Sequence, residues 1–133
     1  MDLEQKYGLA YVSQSLKLRT SGEYEQSEIP NTISVDIDTE MRDSEIMQRY
    51  NPGLLSIGQV LSLTKSDKLL KSDNTFPGNV VYMLDKFGIT IPVFLWWVDG
   101  GNGWKTGWCI SDATYDDVRG WRKGTRVLSP ELI

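Results

Sequence analysis

A chain of 133 residues with 40% hydrophobic and 24% charged side chains has the composition of one folded domain, large enough to bury a core without a disulfide or metal. Its 18 acidic and 14 basic side chains give a formal net charge of −4, which disfavours binding of duplex nucleic acid over the whole surface. It has no histidine, which excludes a Ser-His-Asp triad, a Cys-His pair and the common zinc sites, and leaves carboxylate, lysine, tyrosine or hard-metal chemistry.

The first strand is predicted over Leu9 to Thr20, where Leu16 and Leu18 alternate with Ser15, Lys17 and Arg19. Thr20 to Glu23 reads as a turn, and the polar run to Asn31 as a loop. Thr32 to Asp38 gives the cleanest signal: Ile33, Val35 and Ile37 alternate with Ser34, Asp36 and Asp38, the pattern of a strand with one wet face. Asp43 or Ser44 is positioned to cap a short helix through Tyr50, which Asn51-Pro52-Gly53 would end. Leu54 to Leu63 is ambiguous. Leu54, Ile57 and Leu61 suit a helix, but the stretch from Val60 onward is read as a strand. Thr64 to Asn74 reads as a solvated loop or short helix.

Phe76-Pro77-Gly78-Asn79 opens a predicted helix with Val80, Val81, Leu84 and Phe87 on one face and Gly88 as its cap. The rival reading makes Val80 to Leu84 a strand. Ile89 to Val98 is an apolar strand, in which Pro92 argues for an edge or a bulge. Asp99-Gly100-Gly101-Asn102-Gly103 is a hairpin turn and Trp104 to Ile110 the returning strand. Ser111 or Asp112 would cap one helical turn at Tyr115 to Arg119, and a last short strand runs from Arg126 to Leu128. Four to six strands and two or three short helices, without regular βαβ alternation, predict a single α+β domain over 1–133 with a mainly antiparallel sheet. Its core hairpin is 89–110.

All five tryptophans fall between Trp96 and Trp121. Neighbouring residues of a strand face opposite sides, so Trp96 and Trp97 do not share one face. A sheet covered on both faces accommodates them; a sheet covered on one leaves an aromatic platform. Trp97, Trp104, Trp108 and Trp121 are the candidates for such a platform, since tryptophan anchors many interfaces. Arg119 and Arg122, with Lys123 and Arg126, interleave cations with Trp121, a pattern also suited to single-stranded nucleic acid.

The acids gather at the other end. Residues 1–50 carry ten acids and five bases. Asp36, Asp38 and Glu40, with Asp43 and Glu45, form a carboxylate run that either stays solvated or imitates a phosphate backbone toward a basic partner. Val35-Asp36-Ile37-Asp38-Thr39-Glu40 resembles the first motif of proofreading-type exonucleases, and Ala113-Thr114-Tyr115-Asp116-Asp117 resembles their last. That resemblance implies Asp36 and Asp38 as Mg²⁺ ligands of a phosphodiesterase. The chain departs from it by its short length and by having no histidine or well-placed tyrosine before the last aspartate. The lone Cys109 is read as a buried structural thiol.

A single thiol, no run of 18 apolar residues and a start unlike a signal peptide predict a cytoplasmic protein off the membrane. No catalytic motif, cofactor or metal is expected. The functional expectation is a non-enzymatic binding protein that occupies a site on another macromolecule, most readily a protein. Its size and compactness match a small inhibitor or adaptor of phage or mobile-element type. Single-stranded nucleic-acid binding through the tryptophans and arginines of 96–126, and metal-dependent phosphodiester hydrolysis by Asp36 and Asp38, are the alternatives.

Overall fold

The computed structural model describes residues 3–20, 28, 30–65, 69–71, 78–100, 105–112 and 120–130. In chain order the elements are α1 (Leu3–Tyr7), β1 (Tyr11–Val12), α2 (Gln14–Arg19), β2 (Thr32–Asp36), α3 (Asp43–Tyr50), β3 (Leu54–Leu55), α4 (Ile57–Leu63), β4 (Asn79–Leu84), β5 (Thr90–Val98), β6 (Gly107–Ser111) and β7 (Arg126–Pro130). The fold is α+β, with the strands in one sheet of order β1-β6-β5-β4-β7-β2 and β3 paired to β4. The sheet is mixed. The long ladders β4–β5, β5–β6 and β2–β7 are antiparallel, whereas the two-residue ladders β1–β6, β3–β4 and β4–β7 are parallel.

Each face of the sheet has its own core. Val81, Met83, Ile91, Val93, Leu95, Trp108, Ile110 and Leu128 pack with α1, α2 and α4 through Leu3, Tyr7, Leu16, Val60, Leu61 and Leu63. On the other face Val80, Tyr82, Phe94 and Val127 meet Ile37, Met41, Trp121 and Ile46 of α3. The period-two alternation of side chains along β4, β5 and β7 sends successive residues to opposite cores. Trp96 joins the second core and Trp97 the first, so the two-face arrangement resolves the adjacent pair.

Four helices are found among the described residues, where two or three were expected. Half of the strand predicted over 9–20 is helix: only Tyr11–Val12 pairs in the sheet, and 14–19 form α2. Ser13 caps α2, its Oγ accepting the Leu16 N–H at 3.3 Å. Leu16 is buried and Leu18 exposed, so the apparent alternation did not reflect a shared face. The strand expected from Val60 is also helix. Ser56 and Gln59 form a reciprocal capping box, Gln59 N–H to Ser56 Oγ at 3.2 Å and Ser56 N–H to Gln59 Oε1 at 2.9 Å.

The opposite correction applies to residues 79–87. The rival reading holds: Asn79–Leu84 is β4, with Val80 to Met83 all buried. A central strand covered on both faces is apolar throughout and shows no alternation, which imitates one face of a helix. Gly88, at φ +79°, serves the β4–β5 turn instead of a helix cap. Pro92 lies inside β5 opposite Tyr82 of β4, and among the described residues β6 pairs only from Phe94 onward. The hairpin register sets Trp97 directly opposite Trp108. The helical turn predicted at 115–119 lies outside the described residues.

Two backbone features fix α3 and the chain before it. Asn51, at φ +44°, ends α3 in the left-handed conformation, its N–H donating to Met47 C=O at 3.0 Å. Met41 and Trp121 exchange backbone hydrogen bonds at 3.0 and 2.7 Å. Gly120 makes that approach feasible: its φ is +78°, and a Cβ there would stand 2.5 Å from the Met41 carbonyl oxygen.

Asp43 Oδ1, in the first turn of α3, accepts both Tyr82 Oη–H and Trp121 Nε1–H, each at 2.6 Å. It satisfies two donors whose side chains are only 1% and 2% exposed. Asp43→Ala should therefore destabilise the fold by about 2–4 kcal/mol, because it strands both donors. Asp43→Asn keeps the accepting oxygen and should lose about half as much or less. Urea unfolding followed by tryptophan fluorescence measures both; equal losses would deny Oδ1 this role.

Candidate partner-binding surface

Two of the carboxylates singled out from sequence, Asp36 and Asp38, are paired with cations. Asp36 accepts Arg126 Nε–H at 2.8 Å and Nη2–H at 3.3 Å, and Lys71 Nζ lies 3.6 Å away. The Arg126 hydrogen bond, with the charges of Arg126 and Lys71, holds its carboxyl below the ordinary aspartate range. Asp38 accepts two hydrogen bonds from Arg49, at 3.0 and 3.3 Å, and is shifted the same way by that arginine. Glu40 is exposed. Asp36 lies in β2 and Asp38 past its end, each held by its own arginine. Among the described residues no group of three His, Cys, Asp or Glu side chains is placed to hold a metal ion.

The four described tryptophans pack in or against the two cores. Trp108 and Trp121 are buried, so neither can belong to an exposed platform. Trp97 is half-buried and meets Trp108 edge to face, ring centroids 5.5 Å apart and planes at 77°. Trp96 stacks on Phe94 at 5.1 Å. Trp104 and Arg119 lie outside the described residues. Arg122 and Lys123 are exposed, whereas Arg126 of the same basic tail is committed to Asp36. Cys109 is buried, and that burial pushes its thiol up to about 11.

The surface left open is elsewhere. A cleft of about 690 Å³ lies between β3, the start of α4, the end of β4 and the turn that follows it. Thr20, Leu54, Ile57, Met83, Leu84 and Lys86 are among its lining residues. The turn beside it is rigidly built. Asp85 Oδ1 accepts the N–H groups of Phe87 and Ile89 at 2.8 and 2.9 Å, and Asp85 N–H donates to Ile89 C=O at 2.8 Å. Lys86 N–H donates to Arg19 C=O at 2.8 Å, which ties the turn to the end of α2.

This framework holds large apolar side chains in water. Leu54 and Leu84 line the cleft at 41% and 49% exposure, and Phe87 and Ile89 follow Lys86 at 69% and 59%. Leu18, two residues before Thr20, is 62% exposed. Single exposed apolar residues are ordinary; Leu54 and Leu84 stand together in the lining of one cleft. Sequence reasoning missed the exposed residues because it placed Phe87 on a helix face and Leu18 on a strand. The available signal was a phenylalanine beside Gly88 within Asp85-Lys86-Phe87-Gly88, a turn whose composition is otherwise polar.

No protein-family model, curated protein or solved structure matches this chain.

Two measurements test the assigned environments. Because the folded-state pKa of Asp36 is depressed, its contribution to stability is present above the ordinary aspartate range and lost as pH falls through the folded value. Wild type should exceed Asp36→Asn by about 1 kcal/mol or less at neutral pH. That gap should narrow as pH falls through the depressed folded-state value; a gap independent of pH would show that the charge does not matter. Cys109 should stay unmodified by Ellman's reagent at about pH 8 in the folded protein and react on urea unfolding. Rapid reaction without denaturant would show the thiol to be accessible.

Proposed function

We propose that this chain is a non-enzymatic binding protein that acts by occupying a site on a protein partner. The observation that carries this reading is a cleft lined by the exposed Leu54 and Leu84, with the exposed Phe87 and Ile89 following in the turn that borders it. The backbone at Phe87 is braced by Asp85, so little loop entropy is lost when a partner covers it. The small size suits an inhibitor or adaptor. The single buried thiol suits a reducing, cytoplasmic setting, and no helix among the described residues is long and apolar enough to cross a membrane.

The test is retention of a cellular protein by the immobilised chain, compared with a Phe87→Glu/Ile89→Glu variant. Both sites are exposed, so the variant should unfold within about 0.5 kcal/mol of wild type. It should lose the retained protein, with at least about a hundredfold weaker binding once that protein is purified. Retention unchanged by the double substitution overturns the assignment. Retention abolished by nuclease or by a modest rise in salt would give the surface of Arg122 and Lys123 precedence instead.

A further inference from the structure

Strand β2 is the end of the sheet. It pairs with β7 on one side, and among the described residues no strand pairs with the other. The register reveals which backbone groups are left over. Just past β2, Ile37 N–H donates to Thr125 C=O at 3.0 Å, and Ile37 C=O accepts Gly124 N–H at 2.8 Å. Antiparallel ladders alternate bonded and non-bonded pairs. Val35 and Ile33 therefore direct their N–H and C=O groups to β7, and Thr32, Ser34 and Asp36 direct theirs outward. Two details agree. Arg126, opposite Asp36, sends its N–H away from β2 to Gly78 C=O at 3.0 Å. Pro130, opposite Thr32, has no N–H to offer.

An open row of this kind is satisfied by another strand. We infer that the strand is β2 of a second copy of this chain, antiparallel to the first about a two-fold axis at Ser34. The inference goes beyond the proposed function and uses a different surface. A closed two-fold contact must be self-complementary, and the outward row is: Ser34 lies at its centre, with Thr32 and Asp36 on either side. Ser34 meets Ser34 of the second copy, and Thr32 meets Asp36 in both directions. Each such pair exchanges two backbone hydrogen bonds.

Side chains and charges support the same register. Ile33 is 57% exposed and Val35 half-buried, both on the face that continues to the buried Ile37. In the dimer Ile33 lies against Val35 of the second copy, in the closely spaced non-bonded pair where side chains approach best. No like charges are opposed within the strand. Asp36 faces Thr32, and Arg126 and Lys71 already flank its carboxylate at 2.8 and 3.6 Å. The small Ser34 at the axis lets the backbones approach.

Sedimentation equilibrium over a concentration series up to about 1 mM tests the pairing. The mass should rise from 15.1 kDa toward twice that value. Ser34→Pro removes an outward N–H and blocks the edge while leaving the bonds to β7 in place; it should stay monomeric throughout. Should that variant not fold, Ile33→Lys carries the test at an exposed side chain and should weaken dimerisation about tenfold or more. Phe87→Glu should dimerise like wild type. The inference fails if wild type remains at 15.1 kDa, or if the dimer survives the β2 substitutions. It also fails if Phe87→Glu abolishes the dimer, which would place the second copy at the cleft. Failure of the dimer with partner retention intact leaves the proposed function standing.

Discussion

Strand β4 has no polar face. Val80, Val81, Tyr82 and Met83 are each at most 2% exposed, so both sides of the sheet must be covered, and each cover must be anchored. α1, α2 and α4 cover one side; α3, the segment around Met41 and the Trp121 indole cover the other. Removing this much apolar surface from water is the main favourable term available to a domain of this size. The polar start of the strand is handled as carefully. Asn79 is fully buried, yet its side chain accepts Lys71 N–H at 2.7 Å and donates to Lys71 and Leu95 carbonyls at 3.1 Å. Those bonds satisfy a group that would otherwise destabilise the core.

The same anchoring draws several charged residues into the scaffold. Lys71, fixed by Asn79, reaches Gly124 C=O at 2.5 Å and stands beside Asp36. Arg126, at the start of β7, completes that pair. Asp112 is likewise drawn into structure, accepting Ser13 and Ser15 hydroxyls at 3.1 and 2.6 Å beside Arg19. Asp43 binds the tyrosine and tryptophan of the second core. Carboxylates with this many donors are scaffold groups. They fasten α2, α3 and β2 to their neighbours through charge-assisted hydrogen bonds.

Among the described residues, two places are built for association. At the β3 end, the Asp85 turn and the last residues of α2 hold apolar side chains outside the core. At the β2 edge, a row of backbone groups points outward next to an exposed isoleucine. The first is an excess of apolar surface and the second an excess of hydrogen-bonding capacity. Proteins satisfy each of these by association, through packing in one case and strand addition in the other. The two surfaces belong to different strands, so a chain using one does not consume the other.

The α+β class, the 89–98 strand, the short helix ending at Asn51 and the β2 alternation were legible in the sequence. Their signals are local: period-two patterning, a terminating Asn-Pro-Gly, and an apolar run of strand length. The Ser56–Gln59 capping box was equally local and identifies α4 once it is noticed. The tertiary structure decided the rest. Leu16 and Leu18 look equivalent in the sequence, yet one is buried and one exposed, because a helix turns them apart. Val80 to Leu84 fits a helix face or a doubly buried strand, and only the neighbours β5, β7 and β3 select the strand. The tryptophans and carboxylates drew attention as residue types, but residue type does not determine exposure. Burial depends on which elements cover each face, and that depends on contacts between residues far apart in the chain, such as Asp43 with Trp121 and Asp36 with Arg126.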